Sequence, residues 1–142
     1  MRKEVIIMPN TAESPFSSAV RAGGYIFVSG SVGHIDSEGK EVKGIETQTR
    51  QCLESMKQVL EAAGSSLSNV VKVTVFLAKA DDWSKMNEVY KNYFPVDRPA
   101  RTAVIASLIN PEMLIEIECI ASKLRDSQGK GSAEKGLLTK LG

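Results

Sequence analysis

The sequence predicts an α+β domain: one mixed sheet of six strands with two helices on one face, in the order β-β-β-α-β-α-β-β. Two observations predict it, and a third point follows from it. Short runs of β-branched and aromatic residues, several alternating with period two, occur at 3–8, 18–22, 25–30, 70–78, 102–107 and 114–123. Two segments, 45–63 and 82–94, carry apolar residues at helical spacing instead. Finally, helices on one face leave the other face of the sheet uncovered. A homo-oligomer that closes sheets against each other is a physically sensible cover.

The elements follow in order. Residues 3–8 read as a short strand and 9–16, rich in Pro, Asn and Ser, as a loop. Gly23-Gly24 turns the chain between strands at 18–22 and 25–30. In the second of these, Tyr25, Phe27 and Ser29 share one face, and Ile26 and Val28 the other. Gly30 and Gly33 suggest a bulge or a backbone that something approaches closely. Residues 34–44 are a polar loop that places His34 at the surface.

Helix 45–63 buries Ile45, Cys52, Leu53, Met56, Val59, Leu60 and Ala63 and turns Arg50, Glu54, Lys57 and Glu61 outward. Gly64 suits the position just past its end. Strand 70–78 sets Val71, Val73, Val75 and Leu77 on one face. Asp81 or Asp82 caps helix 82–94, whose apolar members are Trp83, Met86, Val89, Tyr90, Tyr93 and Phe94, and Pro95 ends it. Strands 102–107 and 114–123 close the domain, which spans 1–125. Residues 126–142 change to Gly, Ser and Lys and read as a flexible C-terminal extension with weak helical character near 133–141.

Composition excludes several chemistries. The chain has 142 residues, 18 basic against 17 acidic, one His and two Cys. One His and two Cys do not make a closed four-ligand zinc site of the Cys/His kind within one chain. The two Cys form no CxxC pair and no disulfide framework. A net charge of +1 argues against a broad nucleic-acid footprint. No apolar run approaches the length of a membrane span, and the N-terminus lacks signal-peptide and clear transit-peptide patterns. Cytoplasm is the expected compartment, with the mitochondrion as the alternative.

Chemistry therefore falls to few residues. Arg101, in Arg98-Pro-Ala-Arg-Thr102, enters a strand where a guanidinium offers a planar fork for carboxylate or phosphate. By position alone, pairing with a surface acid is the commoner role. Glu116 and Glu118 share one strand face, opposite Ile115, Ile117 and Cys119. Such carboxylates meet water, pair with cations, or orient and deprotonate a water as general base. Cys119 packs, and Ser17, Ser18, Ser29 and Ser31 have no candidate base. No GxGxxG or GxxxxGK[ST] is present. These residues specify no reaction by themselves.

Several blocks in order resemble the reactive intermediate deaminase family, also called RidA/YjgF or L-PSP. They are Ser14 to Gly30, Glu61-Ala-Ala-Gly64, Asn69 to Leu77, Met86 to Phe94, Arg98-Pro-Ala-Arg101 and Ile115 to Ala121. Within that family the chain looks most like the eukaryotic, fungal-style members. The resemblance implies a chorismate-mutase-like fold and a homotrimer whose sheets form a central barrel with a cleft at each boundary. It implies hydrolysis of 2-iminobutanoate- and 2-iminopropanoate-type imines, products of pyridoxal-phosphate dehydratases, to 2-keto acids and ammonia.

By the same resemblance Arg101 would clamp the substrate carboxylate and Glu116 would orient the attacking water. Ser29 and Gly30 would supply backbone contacts, Phe16 an aromatic wall, and Asn87 the rim. The family often has Tyr at Phe16, Cys at Ala103 and Gln at Ser31, which leaves rate and substrate range open. Two other readings stand beside it: a keto-acid-binding or protein-protective module without turnover, and an L-PSP-type ribonuclease or translation inhibitor.

Overall fold

A computed structural model describes residues 2–123; the extension expected at 126–142 lies outside the described residues. Six strands form one sheet in the order β1-β2-β3-β6-β4-β5. They are β1 (Glu4–Ile6), β2 (Ala19–Ala22), β3 (Tyr25–Val32), β4 (Val70–Leu77), β5 (Ala100–Ile105) and β6 (Ile115–Ser122). All neighbours are antiparallel except β4 and β5, which run parallel and are joined through helix α2 (Trp83–Tyr93). Helix α1 (Ile45–Ala62) links β3 to β4. The α+β class, the element order and the mixed sheet agree with the sequence reading.

The core lies between the sheet and the two helices. Ile26, Val28, Val73, Val75, Leu77, Ile115 and Ile117 meet Cys52, Leu53, Met56 and Leu60 of α1 and Met86 and Tyr90 of α2. Period-two alternation selects that sheet face and leaves Tyr25, Phe27 and Val104 exposed on the other. Helix α1 ends in a Schellman motif. Ser65 N–H donates to Leu60 O at 2.8 Å, Gly64 N–H donates to Glu61 O at 3.1 Å, and Gly64 takes φ +84°.

Four local expectations are corrected. Val71 is exposed and Val70 is buried instead. A register shift between Val70 and Lys72 against β6 resets the alternation, so Val71 does not share a face with Val73, Val75 and Leu77. Asp82 holds the cap position of α2 without a side-chain hydrogen bond. The 3-10 turn Ala80–Asp82 runs straight into the helix, and Trp83 N–H finds Ala80 O. Strand β5 begins at Ala100, two residues before the expected start, because its pairing with β4 begins at Lys72↔Ala100.

The fourth is His34, expected at the surface and in fact half-buried, with Nδ1 enclosed and unpartnered among the described residues. Its loop is folded: Val42 N–H donates to His34 O, and the Asp36 carboxylate accepts from Glu38 and Lys40 N–H.

The polar residues of α1 complete its packing. Gln48 is buried and donates Nε2 to Val42 O and Glu112 O, both at 2.9 Å, while its Oε1 accepts Leu114 N–H at 2.8 Å. It ties the loop after β3 and the loop before β6 to one helix turn. A Cβ at Gly33 would collide with the Gln48 backbone carbonyl, so this glycine permits the close seating of α1 on β3.

Candidate active site

Arg101 and Glu116 project from opposite faces of the same sheet. Arg101 pairs with Val73 of β4, a core residue, and therefore points to the helix side. Glu116 pairs with Phe76 of β4 and follows Ile115 in the core, so it points to the open side. Within one chain the two expected catalytic residues are not brought together. Each is the centre of its own group.

The first group surrounds Arg101. Its guanidinium carbon lies 5.1 Å from the Trp83 ring centroid and 4.6 Å from that of Tyr90. Met86 Sδ is 3.9 Å from Nη1. Trp83, Met86 and Tyr90 are spaced i, i+3, i+7 on α2, which puts them on one helix face over β5. Stacking on aromatic faces favours the cation while leaving its in-plane N–H donors free. The ion pairs among the described residues are Arg21–Glu4, Lys40–Glu38, Lys43–Glu41 and Lys91–Glu88; none uses Arg101. A cleft of about 290 Å³ opens beside it, lined by Asn87, Tyr90, Lys91, Arg98, Pro99 and Arg101. Its cationic lining suits a small anion. Burial pushes the Tyr90 phenol up to about 12, against the opposing pull of Arg101, and its hydroxyl has no hydrogen-bond partner among the described residues. Tyr90 is thus a neutral wall near neutral pH.

The second group surrounds Glu116. Strand β3 bulges between Val28 and Ser31, as the glycine pattern suggested. The bulge lays the Gly30 backbone against the Glu116 carboxylate: a Cβ at 30 would stand 2.9 Å from Glu116 Cδ. Ser29 N–H donates to Ser18 O at 3.0 Å and its hydroxyl to Ser17 O at 2.7 Å, so both of its donors are satisfied internally. Phe16, Ser29 and Gly30, with Gln51, Ser55 and Gln58 of α1, line a polar groove of about 690 Å³; Glu116 touches Gly30 and is not itself in that lining. Glu118 lies exposed farther along β6, opposite Thr74.

Neither thiol belongs to a reactive centre. Burial pushes the Cys119 thiol up to about 12, with Glu118 adding to the rise, and burial raises Cys52 further. Among the described residues no group of three His, Cys, Asp or Glu could hold a metal ion, and no helix is long and apolar enough to cross a membrane.

The sequence reading placed Trp83, Met86 and Tyr90 in the apolar face of their helix and missed their role around Arg101. Their shared helical face, next to a strand bearing an unpaired Arg, was the available signal.

Residues 8–123 match the family model described as Endoribonuclease L-PSP. The chain belongs to that family. A RutC family protein of Pyrococcus horikoshii is 48% identical over 124 residues, 85% of this chain and 98% of that protein. The human protein named 2-iminobutanoate/2-iminopropanoate deaminase is 40% identical over 111 residues, 78% of this chain and 81% of that protein. The fission-yeast protein mmf2, named mitochondrial, is 47% identical over 113 residues, 77% of this chain and 88% of that protein. Among solved structures, a YjgF family member from Neisseria meningitidis superposes with a TM-score of 0.78 at 28% identity, covering 89% of this chain and 98% of that one.

Proposed function

We propose that the chain is an imine/enamine deaminase that hydrolyses 2-imino acids to 2-keto acids and ammonia. The observation that carries this reading is the Arg101 guanidinium. It is stacked between Trp83 and Tyr90, has no acidic partner among the described residues, and borders a small cleft with Asn87 at its edge. This is a seat for a carboxylate, which two N–H donors can grip in plane.

The reading needs Glu116 near the same substrate, and one chain holds it on the other face of the sheet. We assign the site to the boundary between copies in a homotrimer. One copy contributes Arg101 and Asn87; the next contributes Glu116, the Gly30 backbone and Phe16. The exposed Tyr25, Phe27 and Val104 support closure of the open sheet faces against each other.

In the reaction, water bound to the Glu116 carboxylate attacks C2 of the protonated imine while Arg101 holds C1 in place. The carboxylate takes a proton from that water as the C–O bond forms. The carboxyl then passes that proton to the carbinolamine nitrogen. The C–N bond breaks to release ammonia as the carbinolamine hydroxyl gives its proton to the Glu116 carboxylate and becomes the ketone; Glu116 returns that second proton to solvent. Imines already hydrolyse in water, so a positioned water and a fixed substrate meet most of the catalytic demand. No metal or cofactor is required.

The test is keto-acid formation while a serine or threonine dehydratase generates the imine. Arg101→Ala is expected to abolish acceleration and Glu116→Ala to reduce it strongly. An unchanged rate in Arg101→Ala would refute the carboxylate clamp. Keto-acid binding without any turnover would favour the binding-module reading. RNA cleavage sensitive to salt would favour the ribonuclease reading, for which the Lys91, Arg98 and Arg101 cluster offers a phosphate contact. A single mass measurement in solution tests the trimer. The proposed compartment is the cytoplasm, and imaging of the full chain distinguishes it from the mitochondrion named for the fission-yeast relative.

A further inference from the structure

The segment between α2 and β5 brings a second guanidinium to the Arg101 cleft. Asn87, Tyr90 and Lys91, at i, i+3 and i+4 on α2, line it together with Arg98, Pro99 and Arg101. Three of these side chains are cationic and none is acidic. Lys91 is engaged with Glu88, at 3.7 Å. Arg98 and Arg101 enter no ion pair among the described residues. Asp97, beside Arg98 in the chain, lies outside the lining. Arg98 precedes a proline, which favours extended backbone, so its Cα stands on the order of 10 Å from that of Arg101. Two long side chains thus reach one cleft from separated starting points.

Tyr90 adds an open hydrogen-bond donor. It is 4% exposed, and its hydroxyl has no partner among the described residues. Its ring carries the Arg101 guanidinium at 4.6 Å. Burial pushes the phenol up to about 12, and Arg101 and Arg98 both pull against that rise, so both charges bear on the same hydroxyl. A buried hydroxyl without a partner costs stability, and a ligand oxygen that accepts from it removes the cost.

A monocarboxylate brings one negative charge to two unpaired guanidiniums. It fills the Arg101 fork and leaves Arg98 and the Tyr90 hydroxyl unused. A dicarboxylate brings two charges. In a five-carbon 2-oxo diacid the terminal carboxyl carbons stand about 5 Å apart, which a cleft of about 290 Å³ accommodates. We propose that this cleft selects dicarboxylic 2-imino and 2-oxo acids, with the C1 carboxylate on Arg101 and the distal carboxylate on Arg98 and the Tyr90 hydroxyl. This rests on the reading of Arg101 as a carboxylate seat and names the substrate class of that seat. A second set of charge-assisted hydrogen bonds is worth about tenfold or more in affinity. The reaction that supplies such a substrate is oxidation of an acidic amino acid at its α-carbon.

Calorimetry on the full chain compares 2-oxoglutarate with 2-oxohexanoate, which has a similar length and no second charge. The diacid is expected to bind at least tenfold tighter. Arg98→Gln, at an exposed position, is expected to bring the two affinities within threefold of each other. Tyr90→Phe keeps the ring under Arg101 and removes the donor. It is expected to weaken 2-oxoglutarate at least threefold while the melting temperature holds or rises, an outcome that a packing role for the hydroxyl does not produce. Equal affinities in the wild type, or a preference that both variants retain, would overturn the proposal. So would inorganic phosphate binding as tightly as 2-oxoglutarate, since the cleft would then read charge and not two spaced carboxylates. If Arg101→Ala keeps the affinity for both acids, the carboxylate seat and this proposal fall together; equal wild-type affinities that Arg101→Ala abolishes overturn this proposal alone. For turnover, amino-acid oxidases generate the imines of glutamate and norleucine in parallel. Tighter binding of the diacid without accelerated hydrolysis of either imine overturns the deaminase reading and supports this one.

Discussion

The Glu116 carboxylate lies against the Cα of Gly30, so that a Cβ there would stand 2.9 Å from Glu116 Cδ. Gly30 is outside the left-handed region, so its lack of a side chain serves the neighbour rather than the backbone. Gly30→Ala is expected to displace the carboxylate while leaving the strand paired. In the coupled assay kcat/KM should fall on the order of 100-fold, the cost of misplacing a catalytic group by about an ångström. The melting temperature should recover in Gly30→Ala/Glu116→Ala relative to Gly30→Ala, because the double variant removes the collision. A melting temperature that does not recover would place the strain elsewhere.

Arg101→Lys separates charge from shape. Lysine keeps a cation but loses the planar fork and the stacking on Trp83 and Tyr90. A charge-assisted hydrogen bond is worth roughly 1.5–3 kcal/mol. Keto-acid affinity should therefore drop at least tenfold in Arg101→Lys. Wild-type affinity in a titration would show that Arg101 acts as a point charge only.

The high pKa values set an alkaline limit to stability. Cys119 rises from 9.0 and Tyr90 from 10.0, each to about 12, with burial as the main cause. Both groups are neutral below these values, and the unfolded chain releases their protons first. Their contribution is complete below pH 9 and is lost as pH rises from 9 to about 12. Urea midpoints should hold near pH 8 and fall above pH 9. Alkylation of both thiols at pH 8 should require unfolding; rapid labelling of the native protein would contradict their burial.

Gln48→Leu tests the buried amide that joins two loops to α1. The substitution leaves Leu114 N–H without its acceptor and Val42 and Glu112 carbonyls without their donor. All three bonds are part-buried, and a group left unpaired out of water costs about 1–3 kcal/mol. A urea titration should show a loss in that range or above. Hydrogen exchange should show lost protection at the Leu114 amide.

Much of this architecture can be read from residue spacing. Helix α1 is visible in the recurrence of Ile45, Cys52, Leu53, Met56 and Leu60, and its end in Gly64, because both depend on chain-local geometry. The paired face of Glu116 and Glu118 is equally legible from alternation in β6. Alternation fails at Val71 because a bulge inserts an unpaired residue, and a bulge depends on the partner strand. Gln48 is buried among apolar residues because the loop just before α1 and the distant loop before β6 supply its partners, and no local pattern encodes the second.

Arg101 and Glu116 stand out by family resemblance, whereas the residue pattern by itself determined the strands, the helices and the sheet's apolar face. Those features rest on side-chain chemistry and on periods of 2 and 3.6 residues, both written along the chain. Only the tertiary structure decided that Arg101 and Glu116 occupy opposite faces of one sheet, that Trp83 and Tyr90 enclose the guanidinium, and that Gly30 lies under the Glu116 carboxylate. These relations join residues 11 to 86 positions apart in the sequence (Arg101 to Tyr90, and Glu116 to Gly30). They are set by the β3 bulge, which the glycines at 30 and 33 only hinted at, and by strand order and the docking of α2 over β5, which have no local signature.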